Sequence, residues 1–572
     1  MGNLTDDLRR VMRGEVDDSE HAREEYSRDA SLFMVRPRVV ARPLDAEDIA
    51  AVVRFAGERK RRGENVSVTA RSAGTDMSGG PLNSSIILDM TSHLNHFLDL
   101  GFTKPYINVR HTMSHIDEEE EKGGEGYAVT EPGVYFRDFD KETKKKNLEL
   151  PSYTASREIC TVGGMVANNA GGEKNLKYGK TARYVEEIDI VLADGSVHTL
   201  KNLEGENLSK KLKEASFEGD VYRAVSALLQ TNKEVIEKGT PYVEKNSSGY
   251  ALWDIGDGVS SLNLPRLMAG SQGTLGVITK IRFRVVRPKP FASMLVIFLK
   301  DINDLSALVP EILKHSPDSF ESYDDQTFKL AVKYFPEFAT QMKAGIISLG
   351  FSFLPEMLML ALGGIPKLVL MVEFRANTQK ESLKSAQALL KDIARLKIHE
   401  KMRIAENEKA ARKYWVIRRE SFNLLRKKVR GMRTAPFIDD FVVPPLALPE
   451  FLPKLNKILA GYDITYTIAG HVGDGNFHII PLIDPKRTDA RKIIDELSHK
   501  VYDLVLSYRG SISGEHNDGL VRTPYVEQMF GSAMEHLFQE IKNIFDPQNI
   551  FNPGKKVGTT FQEASAHLDL PA

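Results

Sequence analysis

An eight-residue segment, His471-Val472-Gly473-Asp474-Gly475-Asn476-Phe477-His478, constrains this chain more than any other stretch. Gly473-Asp474-Gly475-Asn476 is turn chemistry, because glycine enters left-handed conformations freely and short polar side chains hydrogen-bond their own backbone. Apolar residues flank it: Ile464, Tyr466 and Ile468 before, Ile479, Ile480 and Leu482 after. The segment is therefore expected to form a hairpin with a four-residue loop. In that register Val472 faces Phe477 and His471 faces His478. Directly opposed residues have Cβ atoms about 4.5–5.5 Å apart, close enough for two imidazoles to share one metal ion. Further on, Gly514-Glu515-His516 adds a carboxylate and a third imidazole. Two histidines and a carboxylate, with a coordination position left open, form the pattern of a catalytic rather than a structural metal site. A hydrogen-bonded pair of sheet histidines is the alternative.

At 572 residues the chain exceeds what one hydrophobic core serves, so two or more domains are expected. A net charge of −1 makes no electrostatic case for nucleic acid or an anionic membrane. One cysteine, Cys160, excludes an internal disulfide and a cysteine-ligated iron–sulfur cluster held by this chain alone. It reads as a small buried residue rather than a thiolate nucleophile. Residues Met1 to Asp29 are polar and charged, without the apolar core of a signal peptide. A reducing, cytoplasmic setting is expected. The most apolar stretch, Gly345 to Gly364, is long enough to invite a membrane-spanning reading. Pro355 and Glu356 interrupt it, which favours a buried helical pair and leaves open a peripheral contact at the inner face of the membrane.

Residues 1–35 read as a charged, helical lead-in. From Val35 to Ala41 the chain is extended. Asp45 then caps a helix with an apolar stripe of Ile49, Val52, Val53 and Ala56, closed by Lys60, Arg61, Arg62 and Gly63. Strands follow at Val66 to Ala70 and Ile86 to Asp89. Two more, Ile107 to Arg110 and Tyr127 to Thr130, bracket an acidic insertion, Asp117 to Glu121, expected to be a solvated loop. Glu187 to Leu192 and Val197 to Leu200 form a second hairpin. Ile278 to Val286 alternates apolar and basic residues, and Pro288 and Pro290 mark a boundary. Beyond residue 290, strands such as Met294 to Leu299 and Leu368 to Phe374 alternate with helices such as Glu381 to Leu396. That pattern predicts an α+β domain with an antiparallel sheet.

Three loops rich in Gly, Ser and Thr punctuate the first half. They are Arg71-Ser72-Ala73-Gly74-Thr75-Asp76-Met77-Ser78-Gly79-Gly80, the run from Cys160 to Gly172, and the run from Gly270 to Ile278. None is a dinucleotide fingerprint or a Walker loop. Small residues let backbone N–H groups converge on an anion such as a pyrophosphate. The first loop alone reads better as bland surface; three in one domain suit an extended, diphosphate-bearing cofactor.

These loops resemble those of the FAD-binding domain of the vanillyl-alcohol-oxidase / para-cresol-methylhydroxylase (PCMH) flavoproteins. The H-x-G-D-G-N-x-H hairpin, Gly514-Glu515-His516 and Asn552-Pro553-Gly554-Lys555 resemble the FAD-linked oxidase C-terminal domain. Jointly they resemble the D-2-hydroxyacid dehydrogenase branch: D-lactate, glycolate and D-2-hydroxyglutarate dehydrogenases. The resemblance implies an α+β fold, with a PCMH-type FAD-binding domain of two α+β subdomains at 36–290. A substrate or cap domain with an antiparallel sheet follows at 291–545, then a segment at 546–572 that returns to the flavin. It implies that Arg71, Ser72, Ala73, Gly74, Thr75, Asp76, Met77 and Ser78 wrap the pyrophosphate. Thr161, Gly163, Gly164, Asn168 and Gly171 then border flavin and diphosphate, Val277 and Ile278 meet the adenine half, and Asn552 reaches the isoalloxazine. No histidine stands in the first loop, so FAD is expected to be non-covalent.

The same resemblance makes His471, His478 and Glu515 ligands of a divalent metal, zinc or manganese. His516 becomes the general base and Arg418 the binder of the substrate carboxylate, although Arg418 and Arg419 also read as a solvated helix face. The implied reaction takes a small 2-hydroxy acid to the 2-oxo acid, with hydride passing to flavin N5. The acceptor of its electrons is left open among a quinone, an electron-transfer flavoprotein and an iron–sulfur subunit, as is a homo-oligomer. Departures from the family pattern include Ile480, Asn517-Asp518 and Gln272; Arg433 is the candidate for a distal substrate carboxylate. Competing readings are a non-redox flavoenzyme like alkyl-dihydroxyacetonephosphate synthase and a passive flavin-binding subunit of an electron-transfer complex. His93, His96, His111 and His115 lack ligand partners at suitable spacing and read as structural or exposed.

Overall fold

The computed structural model describes residues 3–103, 126–333, 364–428 other than 397 and 399, and 431–570. Three sheets organise them. In the first, Glu15–Asp17, Val39–Arg42, Ile86–Asp89 and Val68–Arg71 lie side by side in that order, the last three parallel. A helix, Ala46–Arg61, makes the crossover. Asp45 accepts hydrogen bonds from the Glu47 and Asp48 N–H groups at its start, and the turn at Gly63 needs φ +81°. The stripe Ile49, Val52, Val53 and Ala56 is buried against the sheet, as its helical spacing demands.

The second sheet is antiparallel, in the order Phe97–Gly101, Gly126–Thr130, Val277–Val285, Val185–Val191, Val197–Glu204 and Ser261–Asn263. Val277–Val285 alternates buried and half-buried residues without a break. Its odd-numbered residues, Ile281, Phe283 and Val285 among them, enter the core.

The third sheet is also antiparallel. Its order is Lys401–Ala405, Phe291–Leu299, Leu368–Ala376, Ser319–Asp324 (β1), Thr465–His471 (β2), Asn476–Ile483 (β3) and Arg433–Thr434. Phe291–Leu299 and Leu368–Ala376 are apolar on both faces because helices cover both. The helix Gln379–Arg395 lies on one side and Glu408–Lys428 on the other. This is the α+β, antiparallel-sheet architecture expected beyond residue 290. The helix predicted from Glu381 starts two residues earlier, because Thr378 and Glu381 form a reciprocal capping box.

The expected register of the 464–482 hairpin is corrected. His471 pairs with Asn476, Gly470 with Phe477 and Ala469 with His478. The loop is Val472–Gly475, shifted by one residue. Gly475 sits at φ +69°, where a Cβ would lie 1.8 Å from the Val443 carbonyl oxygen, so the turn closes there. The shift changes the pairing sum by two, which keeps both histidines on one face, now as diagonal neighbours.

The strand at Ile107–Arg110, the acidic insertion, His111, His115 and residues 345–363 lie outside the described residues. Among those described, no helix is long and apolar enough to cross a membrane.

Candidate active site

Glu515 is the centre of the cluster. Its Oε1 lies 3.4 Å from His471 Nε2, 3.3 Å from His478 Nε2 and 3.9 Å from His516 Nε2. The His471 and His478 rings are 5.2 Å apart and perpendicular, and His516 stacks on His478 at 5.0 Å. Each ring is fixed by its other nitrogen. Glu321 on β1 takes His471 Nδ1 at 2.6 Å; Asp439 takes His478 Nδ1 at 3.1 Å and His516 Nδ1 at 2.8 Å. All three Nε2 atoms are thereby turned toward one point. A carboxylate behind each imidazole is the arrangement that orients metal-ligating histidines, and the donor set of imidazoles and a carboxylate fits a divalent cation such as zinc or manganese.

Asp440 supplies the scaffold beneath. It is buried, and its backbone sits at φ +72°, a conformation few side chains adopt. Its carboxylate accepts from the Glu515 and His516 N–H groups, Ser513 Oγ and Asn476 Nδ2. Carboxylate oxygens of Asp440 and Glu515 and ring nitrogens of His478 and His516 lie within 4.8 Å of one another. Yet Asp440 is already saturated by those four bonds, so it acts as a strut and His471 completes the facing set.

Burial opposes charge throughout, and pairing overrides it. Asp439 and Glu515 raise His478 to about 10 against burial. Asp440 and Asp439 raise His516 likewise. Glu515 falls well below the usual carboxylate range, burial being outweighed by Lys245 and His471. Asp439→Asn, which unfastens two rings at once, is expected to weaken zinc binding by about 10- to 100-fold in chelator competition. An unchanged affinity would show that Asp439 does not orient them.

The three glycine loops meet beside this cluster. Asp76 accepts from Ser78 N–H, Ser78 Oγ–H and Gly80 N–H, and takes Asn168 Nδ2 at 2.7 Å. Arg71 donates to the Tyr26 and Arg28 carbonyls. Its guanidinium fills the space where a Cβ on Gly74 would stand. Ser72, Ala73, Thr75 and Met77 are half-buried along the same turn. Thr161 caps the short helix Val162–Asn168, and a Cβ on Gly164 would come to 3.8 Å of Ser72. Gly163 packs against the Pro132 backbone, where a Cβ would sit 2.6 Å from the carbonyl oxygen. From the third loop, Gln272 Nε2 donates to Ser78 Oγ and Asn168 Oδ1. Asn552 arrives from the far end of the chain, donating to the Gly80 and Gln272 carbonyls and accepting from Thr69 Oγ1. Val277 is buried and Ile278 half-buried where the strand leaves the third loop. Gly171 joins cradle to cluster: a Cβ there would lie 3.2 Å from Glu515 Oε2. The small residues and backbone of these converging loops fit an extended dinucleotide such as FAD.

Arg418 and Arg419 are not a solvated face. Arg418 Nε donates to Glu321 Oε2 at 2.7 Å, directly behind His471. Arg419 grips Glu173 of the FAD-binding half through Nε at 3.0 Å and through Nη2. Burial alone would raise the Glu173 pKa; Arg419, Arg157 and Arg418 reverse that and hold it at about 2. A folded value below the unfolded one contributes stability that is complete above the unfolded pKa and is lost as pH falls through the folded one. Glu173→Gln is therefore expected to cost on the order of 2–3 kcal/mol near neutrality. The difference in Tm from wild type should narrow between about pH 4.5 and about pH 2; a constant difference would show that the pair contributes nothing. Arg433 is tied to Asp569, a partner near the end of the chain. Cys160 is buried, and His96 Nδ1 sits on Glu131.

Glu321, Asp439, Asp440 and Lys245 escaped the sequence reading. A carboxylate inside the wholly buried strand Ser319–Asp324, and an Asp-Asp pair between Ile438 and Phe441, were the available signals: buried charges need partners. Lys245 stands among polar residues and gave none.

Two family descriptions match the chain: an FAD binding domain over residues 37–201, and the C-terminal domain of FAD linked oxidases over residues 288–556. A D-2-hydroxyglutarate dehydrogenase of Pseudomonas putida is 28% identical over 95% of this chain and 50% of its own length. This chain thus spans about half the length of that relative. A D-lactate dehydrogenase of Archaeoglobus fulgidus is 26% identical, over 93% of this chain and 95% of its own. The solved structure of p-cresol methylhydroxylase with substrate bound superimposes with a TM-score of 0.64 at 16% identity, covering 96% of each chain. The chain thus carries an FAD binding domain and the C-terminal domain of FAD linked oxidases, shares the fold of p-cresol methylhydroxylase, and is similar in sequence to D-2-hydroxyglutarate and D-lactate dehydrogenases.

Proposed function

We propose that the protein oxidises a small D-2-hydroxy acid to the 2-oxo acid with non-covalent FAD and a divalent metal. The observation that carries this reading is the convergence of three imidazole Nε2 atoms on Glu515 Oε1, each ring backed by a buried carboxylate. When bound, FAD accepts a hydride, and the cation polarises the substrate hydroxyl, much as zinc takes water from a pKa of about 15.7 to near 7. His471, His478 and Glu515 hold the cation. His516, with Nδ1 fixed on Asp439, receives the hydroxyl proton at Nε2. Arg418 orients the substrate carboxylate from behind His471, in keeping with the bidentate fit of guanidinium and carboxylate. The loops at 71–78, 161–171 and 277–278, with Asn552, hold the dinucleotide.

The proton and the hydride leave the same carbon–oxygen unit, so the two-electron balance closes on the flavin. An external acceptor must then reoxidise it. Anaerobic addition of D-lactate, glycolate or D-2-hydroxyglutarate to zinc- or manganese-loaded protein is expected to bleach the flavin absorbance. If no member of the panel does so, the assignment fails.

A further inference from the structure

Lys245 stands outside every role assigned above. It belongs to the FAD-binding half, in Glu244-Lys245-Asn246-Ser247-Ser248-Gly249, yet its side chain is 0% exposed and its Nζ lies 2.9 Å from Glu515 Oε2. That ion pair is the only polar tie of either atom among the described residues. An ammonium carried fully out of water needs compensation, and the surroundings are built to hold it there. Ser247 N–H donates to the Ser513 carbonyl and Ser247 Oγ to the Gly514 carbonyl. Gly249 N–H donates to Asp518. Lys180 Nζ bridges Ser247 Oγ and the Gly514 carbonyl, and Lys556 Nζ donates to the Ser247 carbonyl. The segment carrying Lys245 is thus stitched to the segment carrying Glu515 at four points.

The two oxygens of Glu515 are therefore divided. Oε1 faces the imidazoles, and Oε2 is held by the lysine. We infer that Lys245 is a positioning residue that keeps Glu515 a one-oxygen ligand and so preserves an open coordination position for the hydroxy acid. Without it, the carboxylate turns both oxygens onto the cation and fills the place the substrate needs. The lysine acts through Glu515 alone.

This inference rests on the reading of the cluster as a divalent-cation site, and the experiment separates the two. X-ray absorption on the zinc-loaded wild-type protein is expected to show a carboxylate bound through one oxygen; a two-oxygen carboxylate overturns the inference whatever any variant does. Lys245→Met, loaded with cobalt(II) to the wild-type stoichiometry, is expected to weaken and shift the visible d–d bands and to raise KM by about tenfold or more, with kcat changed less. Bands and KM identical to wild type overturn it, as does loss of both metal and thermal stability, which marks a purely structural pair. Failure of the wild type to take up zinc or cobalt at all removes the metal reading itself.

Discussion

His471→Ala and Glu515→Ala are each expected to abolish turnover, by roughly a thousandfold or more in kcat/KM, while the protein still carries FAD. The size of the effect follows from what each side chain does. Among the described residues Glu515 is the one carboxylate whose oxygen is faced by all three Nε2 atoms, and His471 is the proposed ligand tied to β1 through Glu321. Removing either leaves two donors, too few to hold a cation at an ordinary free concentration. The glycine loops lie on other segments and meet the cluster at Gly171 and through Asn517 and Gly519, in bonds that neither the His471 nor the Glu515 side chain makes, so the flavin spectrum should persist. Metal analysis and absorption of the purified variants check this. Loss of flavin along with activity would make the cluster a structural element of the cofactor cradle.

His516→Gln is expected to behave differently: metal and flavin retained, turnover lowered by about 10²- to 10⁴-fold. Glutamine preserves a polar group against Asp439 but cannot accept a proton at neutral pH. The comparison with His471→Ala is what matters, because the two imidazoles differ by less than 1 Å in their distance to Glu515. If His516→Gln lost metal as completely as His471→Ala, His516 would be a ligand and the base would lie elsewhere. A kcat unchanged in His516→Gln would remove it from the chemistry altogether.

The architecture was legible where periodicity and turn chemistry agree. Asp45 and Gly63 bound the first crossover helix closely, and Ile281, Phe283 and Val285 predicted the buried face of their strand. The hairpin was legible in kind but not in register. Asn476 reads as a loop residue, yet it pairs with His471, because Gly475 must make its left-handed turn against the Val443 carbonyl, a contact from a distant segment. The face shared by the two histidines survived that error because strand side chains repeat every two residues. The carboxylates behind the rings were not legible. Glu321 stands 150 positions before His471, and no local pattern links residues that only a sheet brings together. Arg419, for which a solvated helix face was the alternative reading, is a clasp on Glu173 that the sequence hid for the same reason.

Asn552 carries a consequence for how the protein is made. Its side chain closes the first loop onto the third, across 472 and 280 residues of sequence, and Phe551 bridges to Val68 beside it. Contacts between residues so far apart form only after everything between them has been synthesised. Capture of the nucleotide by these loops is then expected to be a late event on the ribosome-to-native path, and an emerging chain halted before residue 550 would hold its cofactor weakly even with all three loops already made.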